Sequence, residues 1–364
     1  MKCPCYRSIV PTQSITCSRR SFLTQAAIAS SALVSGCATR DSRAVTGKIM
    51  TVRGPIDAAD LGLTLTHEHA LVDFIGADQI SRKRYDTEDA FATVLPRLRQ
   101  FRKLGGRALI ECTPAYLGRD PLLLRRLSVA ADVVLVTNTG YYGAVGNKYL
   151  PPHAHTETAD QLAGRWITEW EEGIEGTGIH PGFIKLGVEA GRLSALHEKL
   201  VLAGARAHRR TGLPIAVHTG DGASALDQLR VLKEEGIDPS AWIWVHAQND
   251  PGPGHIEVAK AGGWVSLDGI SQGNLDAYLQ AVMKLKQAGL LGRVLISQDD
   301  GWSIEGQPPG GNLKPFANGN DEPYTTVLTR FLPLLKERGF AAAEIRQLLV
   351  GNPEQAFWLR PAIG

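Results

Sequence analysis

The chain has 364 residues, 43% of them hydrophobic and 21% charged, with a formal net charge of +2. It is too long for a minimal domain and fits either one large α/β barrel with a leader or two ordinary domains. The near-neutral balance gives no electrostatic reason to expect nucleic acid or a charged membrane surface as a partner, and neither a nucleic-acid-binding motif nor a solenoid repeat is present.

The first residues read as an address. Ser18-Arg19-Arg20-Ser21-Phe22-Leu23 is a twin-arginine pattern, followed by a mildly apolar stretch from Ala26 to Val34 and then Ser35-Gly36-Cys37. The stretch is too short, and too rich in Ala and Ser, to span a bilayer. Residues 1–37 are therefore expected to be a twin-arginine export signal of lipoprotein type, with Cys37 as the lipidated residue. The expected location is periplasmic or membrane-anchored through Cys37. Residues 38–47 read as a linker, and 48–364 as the catalytic domain. Cys3, Cys5, Cys17 and Cys37 all lie in the leader, so the single body cysteine, Cys112, cannot build an intrachain disulfide framework and is expected to be a buried, inert thiol.

From residue 48 onward, short β-branched apolar runs alternate with longer helical patterns. Strands are predicted at Leu63–His67, Arg107–Thr113, Val133–Asn138, Gly182–Gly187, Leu213–His218, Trp242–His246, Trp264–Leu267 and Val294–Ser297. Helices are predicted at Thr87–Leu104, Thr158–Ile174, Ser194–Arg209, Gly222–Glu235, Pro253–Ala261 and Leu275–Ala288. Alternation of this kind argues for a parallel sheet, and eight units over some three hundred residues fit a (β/α)8 TIM barrel. An open doubly wound sheet is the structural alternative, but no Gly-rich dinucleotide fingerprint follows the first strand. In a closed barrel the active site lies at the C-terminal strand ends.

Those ends carry metal-binding chemistry. The first closes in Thr66-His67-Glu68-His69; residues two apart on a strand share a face, so His67 and His69 point together and Glu68 points away. The fourth carries Lys185 in an otherwise apolar run, where an ammonium is costly unless paired or converted to another species. The fifth and sixth each end in one histidine, His218 and His246. The eighth ends in Ser297-Gln298-Asp299-Asp300, and strand parity does not choose between the two aspartates.

Taken together, Thr-His-Glu-His, Phe183-Ile184-Lys185, Val217-His218-Thr219, Val245-His246 and Ile296-Ser297-Gln298-Asp299 resemble the phosphotriesterase family of the amidohydrolase superfamily. Gly118-Arg119-Asp120, Thr139-Gly140-Tyr141-Tyr142 and Gly351-Asn352-Pro353 support the resemblance, which covers the chain from about residue 48 to the end. It implies a binuclear site of two divalent ions, zinc first, with manganese, cobalt or iron as alternatives. His67, His69 and Asp299 would hold the more buried ion, and His218 and His246 the more exposed one. Lys185, as N6-carboxylysine, would bridge both together with a hydroxide. Asp299 is preferred over Asp300 because the family's aspartate falls two residues after the serine. Asp299 and His246 would carry the proton away. Gln298 departs from the His or Asn common at that place. The resemblance also leans to a homodimer.

The substrate expected from the resemblance is a lactone, another carboxylic ester or a phosphotriester. Tyr142 stands where lactone-hydrolysing relatives place an aromatic residue, but the loop Asp268-Gly269-Ile270-Ser271-Gln272 lacks their arginine. The long loop from Gly301 to Pro323 reads as a lid. Trp302 is expected to contact substrate, with Phe316 and Tyr324 either beside it or packing the lid down. Arg119 and Lys148 are expected to be solvated surface residues rather than anion ligands. The alternative to an enzyme is an exported, non-catalytic binding protein on the same barrel.

Overall fold

The computed structural model describes residues 47–250, 252–306, 311–316, 320 and 322–363. The expectations for the leader, Cys37 included, lie outside the described residues. The first element is an antiparallel hairpin of β1 (Lys48–Thr51) and β2 (Gly54–Asp57).

Every predicted strand is present. They are β3 (Thr64–Glu68), β4 (Ala108–Glu111), β5 (Val134–Val136) with β6 (Asn138–Thr139), β7 (Phe183–Val188), β8 (Ile215–Thr219), β9 (Trp242–Val245), β10 (Trp264–Leu267) and β11 (Val294–Ile296). They run parallel in two sets, β3-β4-β5 and β6-β7-β8-β9-β10-β11. Only Thr137 separates β5 from β6, so one chain segment carries the wall from the first set to the second. The remaining seam, between β11 and β3, closes where the Asp299 amide donates to the His67 carbonyl (3.2 Å) and the His69 amide to the Asp300 carbonyl (2.9 Å). The result is a closed (β/α)8 barrel.

The predicted helices lie between the strands as α1 (Thr87–Lys103), α4 (Ala159–Glu172), α5 (Ala195–Thr211), α6 (Gly222–Glu234), α7 (Gly254–Ala261) and α8 (Leu275–Gln287), joined by α2 (Pro121–Ala131) and the short α3 (Pro152–Thr156). Their starts follow from capping: Asp86, Asp120, Thr158, Ser194 and Asp221 each accept a hydrogen bond from an amide of the first turn. Alternation then sorts the strand residues. Leu109, Ile184, Leu186, Ile215, Val217, Trp242 and Trp244 face the helices, where they join one large buried cluster. Ile110, Phe183, Ala216, Ile243, Val245 and Leu295 fill the barrel with Ile49, Leu61 and Phe357, and Phe357 packs edge-on against Phe183. A second hairpin, β12 (Trp302–Glu305) and β13 (Asn312–Pro315), follows the eighth barrel strand.

Candidate metal centre

Two local departures from strand alternation aim side chains into the barrel mouth. Leu65 faces the helices, so strict parity would send His67 the same way. An irregularity in the β3–β4 register between Leu65 and Glu68 supplies the extra residue that turns His67 and His69 into the mouth. On the sixth strand Val245 faces the barrel interior, and His246 follows in left-handed backbone (φ 60°), which brings its ring back to the pocket. Asp299 is also left-handed (φ 54°). Such conformations are rare outside glycine and concentrate at functional sites. Gly140 (φ 110°) serves Lys185 from the next strand: a Cβ there would lie 2.2 Å from the Lys185 carbonyl oxygen.

All six candidates, His67, His69, Lys185, His218, His246 and Asp299, line one cavity of about 130 Å³. Asp299 Oδ1 lies 3.3 Å from His67 Nε2 and 3.1 Å from His69 Nε2. The His67 and His246 ring centroids are 4.8 Å apart, and those of His218 and His246 4.5 Å. The Tyr142 hydroxyl is 3.1 Å from His218 Nδ1. Burial pushes the His69 imidazole down to about 4 and holds His218 well below its ordinary value, so both rings are neutral near pH 7. Burial likewise lowers the Lys185 amine, which is 1% exposed and makes no hydrogen bond or ion pair among the described residues.

The donor set fits divalent cations. Thr113 Oγ1 donates to the Leu71 carbonyl, so it accepts from His69 Nδ1 (2.8 Å) and leaves His69 Nε2 unprotonated. That lone pair faces Asp299 Oδ1 at 3.1 Å. Two acceptors so close need a proton or a metal cation between them, and ligands each bonded at about 2.1 Å on one ion sit roughly 3 to 3.4 Å apart, the separation found here. His67, His69 and Asp299 form one group of donor atoms mutually within 4.8 Å, and His67, His246 and Asp268 form another. Imidazoles with carboxylates suit zinc, manganese, iron or cobalt.

Asp268 is the member that sequence reasoning left without a role. It ends the seventh strand, as the other candidates end theirs, and position was the available signal. Burial would raise its pKa, but the His246 and His67 rings hold the carboxylate well below its usual range. Thr113 was likewise unassigned. Cys112 is buried as expected, in the cavity wall.

Two expectations, for Trp302 and Arg119, are corrected. Trp302 lies away from the cavity. Its ring packs 5.7 Å from Tyr324 in the core, because its backbone carbonyl is tied to the Val72 amide. Tyr324 is buried with its hydroxyl donating to the His69 carbonyl (2.7 Å). Phe316 is the aromatic residue of this loop that reaches the site, 5.4 Å from the His69 ring. Arg119 is not a solvated residue: it is buried, paired with Glu169 at 2.6 Å, because it ties the Asn138 carbonyl to that helix. Lys148 is exposed. Gln298 and Asp300 are fully buried and bonded to each other behind the site (2.6 Å). A larger cavity of about 450 Å³ lies beside Tyr116, Arg119 and Glu169 and has no histidine in its lining.

The phosphotriesterase family model matches residues 47–357. A phosphotriesterase homology protein of Escherichia coli (strain K12) is 31% identical over 81% of this chain and 98% of its own length. An organophosphorus hydrolase structure from Deinococcus radiodurans superposes with a TM-score of 0.76 at 30% identity, covering 86% of this chain and 98% of that one. A structure described as organophosphate hydrolysis activity engineered from a weak promiscuous lactonase template matches with a TM-score of 0.75 at 30% identity, over 85% of this chain and 99% of that one. With its barrel, its strand-end donors and a match over nearly the whole described chain, this protein belongs to the phosphotriesterase family.

Proposed function

We propose that the protein is a metal-dependent hydrolase of a neutral ester, with a lactone or other carboxylic ester ahead of a phosphotriester. The convergence of six strand-end side chains on one cavity carries this reading. His67, His69 and Asp299 would hold one divalent cation and His218 and His246 a second, with Lys185 as N6-carboxylysine contributing to both. Zinc is the first choice. When bound, two such cations supply Lewis acidity that lowers the pKa of water and polarises the oxygen of the substrate.

The chain's own groups do the rest. Lys185 is lowered from the ordinary lysine range, which favours the free amine that carbon dioxide requires. As water adds to the carbonyl carbon or phosphorus, Asp299 takes its proton and returns it to the leaving alcohol, while His246, with Nδ1 on Asp268 and Nε2 turned to the cation, holds its place rather than relaying the proton. The Tyr142 hydroxyl steadies His218. Outside the donor set, the wall is apolar or phenolic: Val72, Phe74, Leu117, Val145, Tyr149 and Phe316. No formally charged side chain stands among these to meet an anionic substrate, which supports an uncharged ester.

Assaying metal-free and metal-restored protein on lactones, aryl esters and phosphotriesters tests the proposal. Full activity without metal overturns it. Binding without turnover points instead to a non-catalytic binding protein. The same proposal includes export by the twin-arginine signal, lipidation at Cys37 and a homodimer. Mass spectrometry of the mature N-terminus and sedimentation of the purified protein test these.

A further inference from the structure

We propose that Asp268 is the positioning residue that sets the tautomer and ring direction of His246. This rests on the reading of His246 as a donor to a divalent cation. Asp268 is fully buried at the end of β10; four donors lie within 3.1 Å of its two oxygens, and His67 Nδ1 lies farther off, 3.5 Å from Oδ2. Oδ1 accepts from His246 Nδ1 (2.7 Å) and Gln248 Nε2 (3.0 Å), while Oδ2 accepts from the His246 amide (3.1 Å) and Ser266 Oγ (2.7 Å). Gln248 cannot be reversed without loss, because its Oε1 accepts the Asp268 amide (3.2 Å).

The arrangement has one consequence for chemistry and one for conformation. A carboxylate only accepts, so the short contact at His246 Nδ1 places the ring proton there and leaves Nε2 as the lone-pair donor. The second bond, to the His246 amide, holds the same residue in its left-handed backbone (φ 60°), which strand alternation alone would not provide. One carboxylate from the seventh strand thus orients both backbone and ring of a residue on the sixth. Asparagine has nearly the same shape but brings two donors to a place where four already converge, so it cannot accept all four.

The test uses metal-free full-length protein with 15N-labelled histidine. Long-range proton–nitrogen correlation is expected to show His246 protonated on Nδ1 in the wild type and shifted toward the other tautomer in Asp268→Asn. Zinc affinity, read by competition with a chelator, is expected to fall roughly 10–100-fold in that variant. Ser266→Ala, which removes one donor from the carboxylate without touching His246, should keep the wild-type tautomer. A wild-type His246 protonated on Nε2 overturns the proposal, even where Asp268→Asn does not fold. His246→Ala is read alongside. Unchanged zinc affinity there overturns the donor role on which the proposal rests. Loss there with none in Asp268→Asn overturns the positioning role alone.

Discussion

The Asp299 carboxylate of the eighth strand lies 3.1 Å from His69 Nε2 of the first, across the seam where the barrel closes. The same seam is held by backbone bonds from Asp299 to His67 and from His69 to Asp300. Closure of the fold and assembly of the site are therefore one event: the hydrogen bonds that complete the cylinder also fix the separation of the donors.

Lys185→Ala is expected to lower activity by more than the roughly 10–100-fold that loss of an outer hydrogen bond costs, and to lower metal content with it. A small added carboxylic acid should restore part of both by occupying the space left in the pocket. Metal analysis together with kcat, with and without the acid, is the check. Wild-type behaviour of Lys185→Ala would remove the case for carboxylysine.

Thr113→Val keeps the shape of the side chain and removes the acceptor that fixes His69 Nδ1. Metal affinity should fall roughly 10–100-fold, and the unpaired Leu71 carbonyl should cost about 1–3 kcal/mol of stability. Equal affinities for the two proteins would show that His69 needs no such partner.

Trp302 and Phe316 should separate stability from specificity. Trp302→Ala empties a core position and is expected to cost about 3–5 kcal/mol of stability. Phe316→Ala removes an aromatic wall from the cavity and is expected to raise KM for bulky apolar esters roughly tenfold, the loss of about 1.4 kcal/mol of apolar contact. Urea unfolding and steady-state kinetics on both variants distinguish the roles. An unchanged KM in Phe316→Ala would place the substrate elsewhere.

Glu111 gives a pH dependence that is independent of turnover. Burial pushes its carboxyl up to about 7, and its Oε2 has no hydrogen-bond partner. The folded chain therefore binds this proton more tightly than the unfolded chain, whose carboxyl has the ordinary value near 4.3. The sign follows: the contribution is complete below about pH 4, declines as pH rises, and is lost once pH passes about 7. The full change is on the order of 4 kcal/mol. Glu111→Gln lacks this decline, so the stability difference between variant and wild type, read from urea midpoints between pH 4 and 8, should grow in the variant's favour. A flat difference would show that Glu111 titrates as a solvated carboxyl does.

The barrel was legible because its strands alternate with helices in segments long enough for periodicity to separate the two. The donors were legible because a histidine or lysine that closes an apolar run is expensive without a partner. Thr113 and Asp268 escaped because nothing in a threonine or an aspartate marks it before its neighbour is known, and for Phe316 the sequence left pocket and lid equally open. Trp302 was misread because an aromatic residue at a strand end looks the same whether it lines a pocket or packs under one.

Sequence by itself determined which strand ends bear imidazole, amine and carboxylate, since residue type and two-residue alternation are local properties. Strand parity left the adjacent aspartates open and the resemblance preferred Asp299; only the tertiary structure gives the physical ground for that choice. Asp299 lies beside two imidazoles, whereas Asp300 is buried among Gln298 and Asn320. The physical reason is the seam: a register irregularity at His67, a left-handed residue at Asp299 and the closing hydrogen bonds between strands far apart in the chain set those directions together.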